Sequence, residues 1–230
     1  MYRMLPKKFI VFAIAWLVIG LCMVVISYGE QLGVPIGLTS IPLMVWVMLH
    51  LLLLNPVWRW VWAKIPWLSA HFFPDLNGKW RVELHSNWPR QLQLLEAAQS
   101  KEKEFDMRNC GETELADLSI LELEADIRQS WWKIEMSLYN PVSVTPIRQS
   151  NTISIIPFAQ NGLQKSGILY IFKQENMTDN VSDSNEFYGA ARLEYDFGKD
   201  ELSGLVWTAR MWQRAMNTAS KVTFKRLPCE

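Results

Sequence analysis

Cysteine and histidine, which build most disulfide frameworks, metal sites and nucleophilic active sites, are scarce in this chain. Of its 230 residues, three are cysteine and three are histidine. Cys22, Cys110 and Cys229 are odd in number and widely spaced, which excludes a disulfide framework and the usual metal-ligand spacings. We therefore expect no bound metal, a reducing compartment, and cysteines that serve only as isolated structural thiols.

Motifs that mark catalytic sites are also absent. No segment reads H-E-x-x-H, G-x-S-x-G or C-x-x-C, and no glycine-rich loop resembles a phosphate cradle. Aspartate and glutamate are plentiful, but they occupy the wet sides of predicted strands, where solvent exposure explains them better than catalysis. We therefore predict a binding protein that needs no cofactor, and not an enzyme.

A strongly basic surface is missing from the larger part of the chain. The totals of 23 basic and 23 acidic residues hide an asymmetry. Residues 1–70 hold five basic and one acidic side chain, which leaves 18 basic and 22 acidic for residues 71–230. An acidic domain is a poor candidate for binding duplex nucleic acid, although one or two arginines could still hold a small phosphorylated ligand.

Long hydrophobic runs, by contrast, fill the first third. Residues 9–26 are all apolar or glycine, and residues 34–54 contain Pro35, Pro42 and His50 but no full charge. Neither run has a polar stripe at helical spacing, and each is close to the length that crosses the hydrocarbon of a bilayer. Because residues 27–33 form a short link, we predict an antiparallel, two-helix transmembrane hairpin.

The charges beside these runs predict their orientation. Basic residues occur only on the outer flanks of the hairpin, at Arg3, Lys7, Lys8, Arg59 and Lys64. The connecting loop has only Glu30, so the positive-inside rule puts both chain termini in the cytoplasm. A cleaved signal is disfavoured because the first run is too long and no small-x-small site follows it.

Four tryptophans accompany an arginine and a lysine in residues 55–67, just after the second run. Such rings suit the headgroup layer of a membrane. A passive aromatic belt is the preferred interpretation, and an in-plane amphipathic segment that couples the membrane part to the next domain is the alternative.

Beyond Pro74 the dominant period is two, which predicts strands. Eight are predicted: residues 79–84, 121–128, 132–138, 152–156, 167–173, 187–197, 202–210 and 221–225. Parity changes between Ile127 and Trp132, so a bulge or turn lies in residues 128–131. Residues 198–200 read as a tight turn, and residues 91–104 as one helix because Leu92, Leu95 and Ala98 fall at helical spacing.

Each predicted strand has one apolar and one charged face, as in an antiparallel sheet with one wet side. Eight short strands without βαβ alternation favour a closed barrel or a sandwich. The predicted organisation is a transmembrane hairpin and juxtamembrane segment over residues 1–73, and an all-β domain over residues 74–230. That domain is expected to be a lipocalin- or avidin-like barrel with one inserted helix, able to enclose one small ligand.

The candidate ligand-binding residues are aromatic and polar side chains of this domain: Trp80, Gln129, Tyr170, Tyr195, Trp207, Thr208 and Arg210. Rings at a barrel mouth can stack on nucleobases, although each ring taken singly is better explained as core. Arg210 ends an apolar strand, where an inward guanidinium would need an anion, and Thr208 shares its side of the sheet. Pairing of an outward Arg210 with a surface carboxylate is the alternative.

Several segments, taken in order, match motifs of a known family. Residues 74–80 read P-D-L-N-G-K-W, residues 127–131 read I-R-Q-S-W, and Leu169-Tyr170 stands where an L-x-Y strand is expected. Leu202-Ser203-Gly204 followed by Thr208-Ala209-Arg210 resembles an L-x-G-x-Y-x-T-x-R ending. With the two membrane runs, the chain resembles the SMODS-associated, two-transmembrane, β-strand-rich effectors of bacterial CBASS anti-phage systems, which are associated with CD-NTases.

This resemblance implies a function. In that family a nucleotidyltransferase makes a cyclic nucleotide on infection, and the barrel binds it. The effector then oligomerises and breaches the inner membrane, which kills the cell before phage matures. The expected partners are thus a cyclic dinucleotide, the lipid bilayer and further copies of the chain. A membrane-anchored, lipocalin-like carrier of a small apolar molecule is the alternative.

Overall fold

The chain folds as two units, which the computed structural model describes over residues 7–28, 38–102, 105–141, 147–160, 163, 165–176 and 184–228. The N-terminal unit comprises Met1–Asp75 together with Ser130–Trp132. The barrel unit comprises Leu76–Gln129 and Lys133–Glu230. Residue 74, where the sequence places the domain boundary, is thus next to the division in the structure.

The N-terminal unit begins with helix α1 (Lys7–Tyr28), whose 22 residues include the whole first apolar run. At 1.5 Å per residue it is about 33 Å long, enough to cross the hydrocarbon of a bilayer. It is the one unbroken helix in the described residues that is long and apolar enough to do so. The sequence prediction of a helix over residues 9–26 is therefore confirmed.

The second apolar run does not form one straight helix. A short 3₁₀ turn, Leu38–Ser40, leads into α2 (Ile41–Leu53), which has 13 residues and is only about 20 Å long. Helix α3 (Asn55–Lys64) follows at an angle of 82° to α2, and α4 (Pro66–His71) follows α3. Within the predicted span over residues 34–54 the described residues form this turn and α2, the bend coming at its end, and its first four residues lie outside the described residues. The two-helix hairpin therefore stays a prediction.

Proline explains the bend. Leu54, between α2 and α3, has an extended backbone (ψ 132°), and Pro56 stands in the first turn of α3. Because Pro56 has no N–H, it cannot donate to the carbonyl of Leu52, as the next turn of a continuous helix would. The indole Nε1 of Trp131 donates to that carbonyl instead, at 2.8 Å.

Tryptophan rings form the centre of the N-terminal unit. Trp58 and Trp62 are buried and meet edge to face, with ring centroids 5.8 Å apart, and Trp131 lies edge-on to Trp62 at 5.6 Å. Trp62 also donates to the carbonyl of Phe73 at 3.0 Å. Trp60 and Trp67 are more than half exposed. An aromatic belt can therefore involve Trp60 and Trp67 only, because the other two rings are core.

The barrel unit is an eight-stranded, antiparallel closed barrel in which each strand pairs with its neighbours in sequence and β8 pairs with β1. The strands are β1 (Gly78–Ser86), β2 (Ser119–Gln129), β3 (Ile134–Tyr139), β4 (Ile147–Phe158), β5 (Gly167–Asn176), β6 (Glu186–Asp196), β7 (Glu201–Thr208) and β8 (Ala219–Arg226). All eight predicted strands are present. Because β8 pairs with β1, the sheet closes and has no edge strand. The predicted barrel is therefore confirmed, and the alternative of a sandwich is wrong.

Alternate side chains fill the interior. The fully buried ones include Val82, Leu123, Ile168, Leu193 and Phe224, contributed by five different strands. The prediction that every outer face is charged holds for β1, β2, β3 and most of β6 but is wrong for much of β5 and β7. Ile171 and Leu205 point outward there and are 49% and 60% exposed.

Strand β4 is twice as long as predicted. Its pairing with β5 shifts register between Ile147 and Gln149 and again between Thr152 and Ser154. Each irregularity breaks the strict period of two, which hides the true length of a strand from a pattern search. The parity change near residue 130 has a simpler origin, because β2 ends at Gln129 and β3 begins at Ile134.

Helix α5 (Trp88–Gln99) connects β1 to β2. It starts three residues before the predicted helix over residues 91–104, with Pro89 in its first turn, and ends earlier. Asn87 ties its start to the beginning of β8: its main-chain N–H donates to the carbonyl of Ala219, and its side-chain oxygen accepts from the N–H of Ala219, both at 3.0 Å. The Gln91 side chain donates to the carbonyl of Asn217 at 3.2 Å.

Polar bonds close the opposite end of the barrel. The guanidinium of Arg226 lies 4.2 Å from the centre of the Trp80 ring and donates to Asp200 at 2.7 Å and to the carbonyl of Asn77 at 2.6 Å. Tyr195 donates its hydroxyl to the other oxygen of Asp200 at 2.5 Å. Burial, and then this bond, raise the pKa of Tyr195. Asp200 itself has φ 51°, the left-handed conformation expected in the tight turn at residues 198–200.

Candidate functional site

The barrel contains a cavity at the end where β1, β3, β5 and β7 finish. Its deeper wall is apolar and aromatic and includes Leu123, Met136, Tyr170, Phe172 and Val222. Thr152 bonds the main chain of Met136 in that deeper wall. The other polar side chains lie nearer the strand ends: Ser86, Ser150, Gln174, Asn176, Thr208, Thr218 and Ser220. The cavity therefore offers aromatic rings in its deeper part and neutral hydrogen-bonding groups near the strand ends.

Arg210 adds the positive charge. It is the only charged side chain among the described residues that line the cavity, and no carboxylate lines it. Such a site suits an anionic ligand, because an arginine can bond two oxygens of a phosphate or carboxylate at once.

The position of Arg210 follows from the corner after β7. Thr208, the last residue of β7, shares a 2.6 Å hydroxyl–hydroxyl bond with Thr218, and its N–H donates to the carbonyl of Thr218 at 2.9 Å. The Arg210 guanidinium carbon lies 4.1 Å from the centre of the Trp88 ring, at the start of α5. Thr208 and Arg210 both line the cavity, as their spacing of two predicts.

Two amide side chains of β5 supply a hydrogen-bond donor with no partner. Gln174 donates to the Asn176 side-chain oxygen at 2.8 Å. Asn176 is only 9% exposed, and its Nδ2 has no hydrogen-bond partner in the described part of the chain. A buried polar atom left unbonded costs about 1–3 kcal/mol, so this donor is suited to an acceptor on a bound molecule.

Tyr170 contributes a ring and a neutral hydroxyl. It is 5% exposed and lies beside Phe172, with ring centroids 5.7 Å apart. Burial raises the pKa of Tyr170, so its phenol stays protonated at any physiological pH. It can contact an uncharged part of a ligand, such as a base, without adding a negative charge near Arg210.

Four of the seven predicted ligand-binding residues do not line the cavity. Trp80 and Tyr195 lie at the closed end, where Trp80 is fully buried and donates its indole N–H to the carbonyl of Leu76. Gln129 is also there, and its side-chain oxygen accepts from the N–H of Leu76 at 2.7 Å. Trp207 is 46% exposed on the outer face, because it precedes the inward Thr208 by one position.

The cavity thus brings together Tyr170, Thr208 and Arg210 from the predicted set. It adds Gln174 and Asn176, which sequence reasoning missed because polar residues near a strand end resemble ordinary solvated positions. Trp88, the stacking partner of Arg210, was also missed. The W-P step at the start of α5 indicates a helix start, but nothing in it indicates a cation–π contact with a distant turn.

No group of three His, Cys, Asp or Glu side chains in the described residues is close enough together to hold a metal ion. Cys22 and Cys110 are free thiols. The absence of a cofactor remains an expectation from the sequence.

The chain therefore belongs to the class of proteins with an apolar N-terminal helix and a closed antiparallel barrel, whose cavity has Arg210 as the one charged side chain among its described lining residues. The full length of the chain is similar to a curated protein. It is 24% identical over 227 residues to CD-NTase-associated protein 15 of Escherichia albertii, an alignment that covers 98% of both chains. No family model matches the chain. The relative confirms the resemblance to CD-NTase-associated CBASS effectors.

Proposed function

We propose that this protein is an effector of a bacterial anti-phage system that binds a cyclic dinucleotide in its barrel, self-associates and disrupts the inner membrane. The observation that carries the proposal is the cavity, in which Arg210 is the only charged residue among the described lining. An anionic ligand with flat, polar bases suits a cationic mouth above aromatic walls. The full-length relative supports it, because its name associates that protein with a CD-NTase.

The chemistry of the cavity assigns parts of the ligand to parts of the wall. The Arg210 guanidinium is the group that bonds a phosphate, and the hydroxyls of Thr208 and Thr218 lie beside it. The unbonded Nδ2 of Asn176 donates to a phosphate oxygen or to an acceptor on a base. Tyr170 and Phe172 offer ring faces to a base, each stacking contact being worth about 1–3 kcal/mol.

The cavity must widen to admit such a ligand. Only about 70 Å³ of it is open to water-sized molecules, whereas sites for molecules of that size hold roughly 300–1,000 Å³. Binding therefore requires side chains that line the cavity to move, and Phe187, near the start of β6, is one of the lining residues. Ligand binding is then coupled to a change in the barrel wall.

Helix α1 supports the membrane part of the proposal, since its length and composition suit a span. Helix α2 returns the chain across the bilayer, so that α3, with its Arg59 and Lys64, follows the second span. With basic residues only on the outer flanks, both termini lie in the cytoplasm, where the barrel meets a ligand made inside the cell. The chain acts in this proposal by binding and assembly, not by catalysis.

A carrier of a small apolar molecule is the second candidate, and the apolar deeper wall of the cavity favours it. A carrier would use that wall alone. It would not need Arg210 at the mouth or the unbonded amide of Asn176.

The test is to titrate the full chain, in lipid nanodiscs, with cyclic dinucleotides that carry adenine, guanine or uracil bases, and to repeat the titration with Arg210→Ala. Losing one charge-assisted contact should weaken the best ligand by about 2–5 kcal/mol, a factor of tens to thousands. Arg214→Ala is the matched control, because Arg214 is an exposed arginine of the same turn that does not line the cavity. Its affinity should stay within about twofold of the native chain.

Cells give a second measurement. Co-expression with the cognate nucleotidyltransferase should admit a membrane-impermeant dye in the native strain but not in the Arg210→Ala strain. If the native and Arg210→Ala proteins bind the ligand equally well, and dye enters both strains equally, Arg210 is not part of the binding site. If no cyclic dinucleotide binds the native chain and a fluorescent fatty acid does, the carrier function replaces the effector function.

A further inference from the structure

The outside of the barrel has an apolar region on parts of β4, β5 and β7. Six outward side chains of β4, β5 and β7 are between 37% and 61% exposed: Ile153, Ile156, Leu169, Ile171, Leu205 and Trp207. We refer to these six residues as the apolar patch. Their inward neighbours, such as Ile168, Tyr170 and Val206, are buried, so these strands are apolar on both faces.

Strand register joins the β5 side of the patch to its β7 side through Ala190, while Arg192 interrupts the neighbouring row. One row around the barrel runs from Ile156 to Leu169, then Arg192 and Leu205. The adjacent row runs from Ile171 through Ala190 to Trp207. Four strands about 4.8 Å apart give the patch a width of roughly 15 Å. Monomeric soluble proteins rarely expose a contiguous apolar surface of several hundred Å², and those that do commonly use it for binding.

Strand β2 shows what a solvated outer face looks like here. Glu122, Glu124 and Asp126 alternate along β2 with inward Leu123 and Ala125. Because β2 carries charges outward while β5 and β7 carry isoleucine, leucine and tryptophan, burial inside the barrel does not explain the apolar patch.

Charges at the rim and inside it indicate what covers the patch. Lys173 pairs with Glu186 at 2.8 Å at the rim, and Arg192, which lies on β6 between Leu169 and Leu205, pairs with Glu194 at 2.9 Å, so both signs alternate on this surface. All four side chains remain at least a third exposed. A nucleic acid or an anionic lipid surface would need a rim of positive charge, which this acidic domain lacks. A rim of mixed sign is self-complementary under a two-fold axis, because each cation can face an anion of the copy.

We infer that the apolar patch is the surface through which two copies of this chain meet, barrel against barrel. The closed barrel has no free strand edge, so copies cannot join by adding strands and must associate through a side-chain face. This inference rests on the self-association step of the proposed function and names its interface. A change in the barrel wall on ligand binding reaches this surface directly, since inward Tyr170 and Phe172 alternate with outward Leu169 and Ile171 along β5.

The test compares two variants that each place an arginine on an exposed apolar position of the barrel. Leu205→Arg lies within the patch, and Ile120→Arg lies on β2 outside it, with both parent residues 60% exposed. The full chain is reconstituted in proteoliposomes with and without the best-binding cyclic dinucleotide, and lysine cross-linking reports the oligomer. Leu205→Arg should reduce the cross-linked fraction at least about tenfold, the effect of burying one unpaired charge, whereas Ile120→Arg should match the native chain. Ligand affinity should be unchanged in both.

A second variant keeps the test decisive if Leu205→Arg does not fold. Ala190→Cys, between Ile171 and Trp207, is placed in a chain whose own cysteines are changed to serine, and a short bis-maleimide should then link two copies. Unchanged cross-linking of a folded Leu205→Arg chain would overturn the inference, as would equal loss in Ile120→Arg or no association of the native chain. A different outcome separates the two proposals. If the native chain binds no cyclic dinucleotide but still associates, and Leu205→Arg abolishes that association, the interface is supported and the proposed ligand is rejected.

Discussion

Trp131 donates its indole N–H to the main-chain carbonyl of Leu52 at 2.8 Å, a bond between residues 79 apart in the sequence. The carbonyl is available because Pro56, one helical turn further on, has no N–H to offer it. A side chain thus stabilises the bend between α2 and α3. The same indole ring packs edge-on against Trp62, so one residue contributes both a hydrogen bond and a ring contact to the N-terminal unit.

Trp131→Phe separates these two contributions. Phenylalanine keeps a ring against Trp62 but leaves the Leu52 carbonyl without its donor, which should lower the free energy of unfolding by about 1–3 kcal/mol. The measurement is thermal unfolding of the full chain in detergent, followed by intrinsic fluorescence. Trp132→Phe is the neighbouring control, because Trp132 is 65% exposed, and it should shift stability by no more than about 0.5 kcal/mol. Identical midpoints for the two variants would show that the hydrogen bond is not stabilising.

Asp200→Ala tests the closed end of the barrel. It removes the partner of Arg226 and of the Tyr195 hydroxyl. Arg226 and Asp200 retain 23% and 43% side-chain exposure, so solvent screening limits the expected loss to about 1–3 kcal/mol of unfolding free energy. Glu135→Ala breaks a fully surface pair with Lys133 and should cost under about 1 kcal/mol. Ligand affinity should be unchanged in both, since Asp200 does not line the cavity; weaker binding in Asp200→Ala would mean that the two ends of the barrel are coupled.

Asn176→Asp tests the unbonded amide. The substitution retains the oxygen that accepts from Gln174 but replaces the Nδ2 donor with a negative oxygen. Losing the donor and repelling the phosphates should weaken cyclic dinucleotide binding by about tenfold or more. Asn151→Asp, at an exposed position of β4, is the control for added charge and should bind normally. Calorimetric titration of both variants decides the matter, and equal affinities would place the ligand away from Asn176.

The topology prediction follows from the charges beside the hairpin. A reporter that is active only in the periplasm, fused after residue 230, should be inactive, because the positive-inside rule keeps the C-terminus in the cytoplasm. A cytoplasmic reporter at the same position should be active. Activity of the periplasmic reporter would reverse the orientation.

The barrel unit should fold without the membrane part. A fragment that begins at Phe72 retains all eight strands and should give a β-type circular dichroism spectrum and, without ligand, a monomer. Trp131 loses its partners Trp58 and Trp62 in this fragment, so its fluorescence should move to longer wavelength. A spectrum dominated by helix would contradict the assignment of an independent barrel.

Much of the fold can be predicted from the sequence because the patterns that specify its helices and strands extend over only a few residues. Alternation in Lys79-Trp80-Arg81-Val82 predicts a strand with Trp80 inward, and Trp80 is buried. The prediction of charged outer faces failed where an apolar residue can face either the barrel core or the outer surface. Isoleucine and leucine on both faces of β5 looked like one ordinary strand, although only one of those faces is core. The apolar run ends at residue 54, where the bend lies, but its composition does not show that only Ile41–Leu53 of the run forms α2.

The candidate site was predicted less well than the fold. Sequence parity correctly joins Thr208 to Arg210, but it cannot tell which end of a barrel a residue occupies. Trp80, Gln129 and Tyr195 are inward and aromatic or polar, as a ligand-binding residue should be, yet they lie at the closed end because of where β1, β2 and β6 begin and finish.

What the sequence determined by itself is therefore the order of parts: an apolar helix, a tryptophan-rich segment, and eight alternating strands whose periodicity follows from backbone geometry within a few residues. What only the tertiary structure decided is which distant residues meet. Arg210 lies against Trp88, Arg226 against Trp80, and Trp131 against Leu52. Each meeting depends on the closure of the barrel or on the bend after α2, and such long-range contacts leave no periodic signal in the chain, because their energy depends on distance in space and not on spacing in sequence.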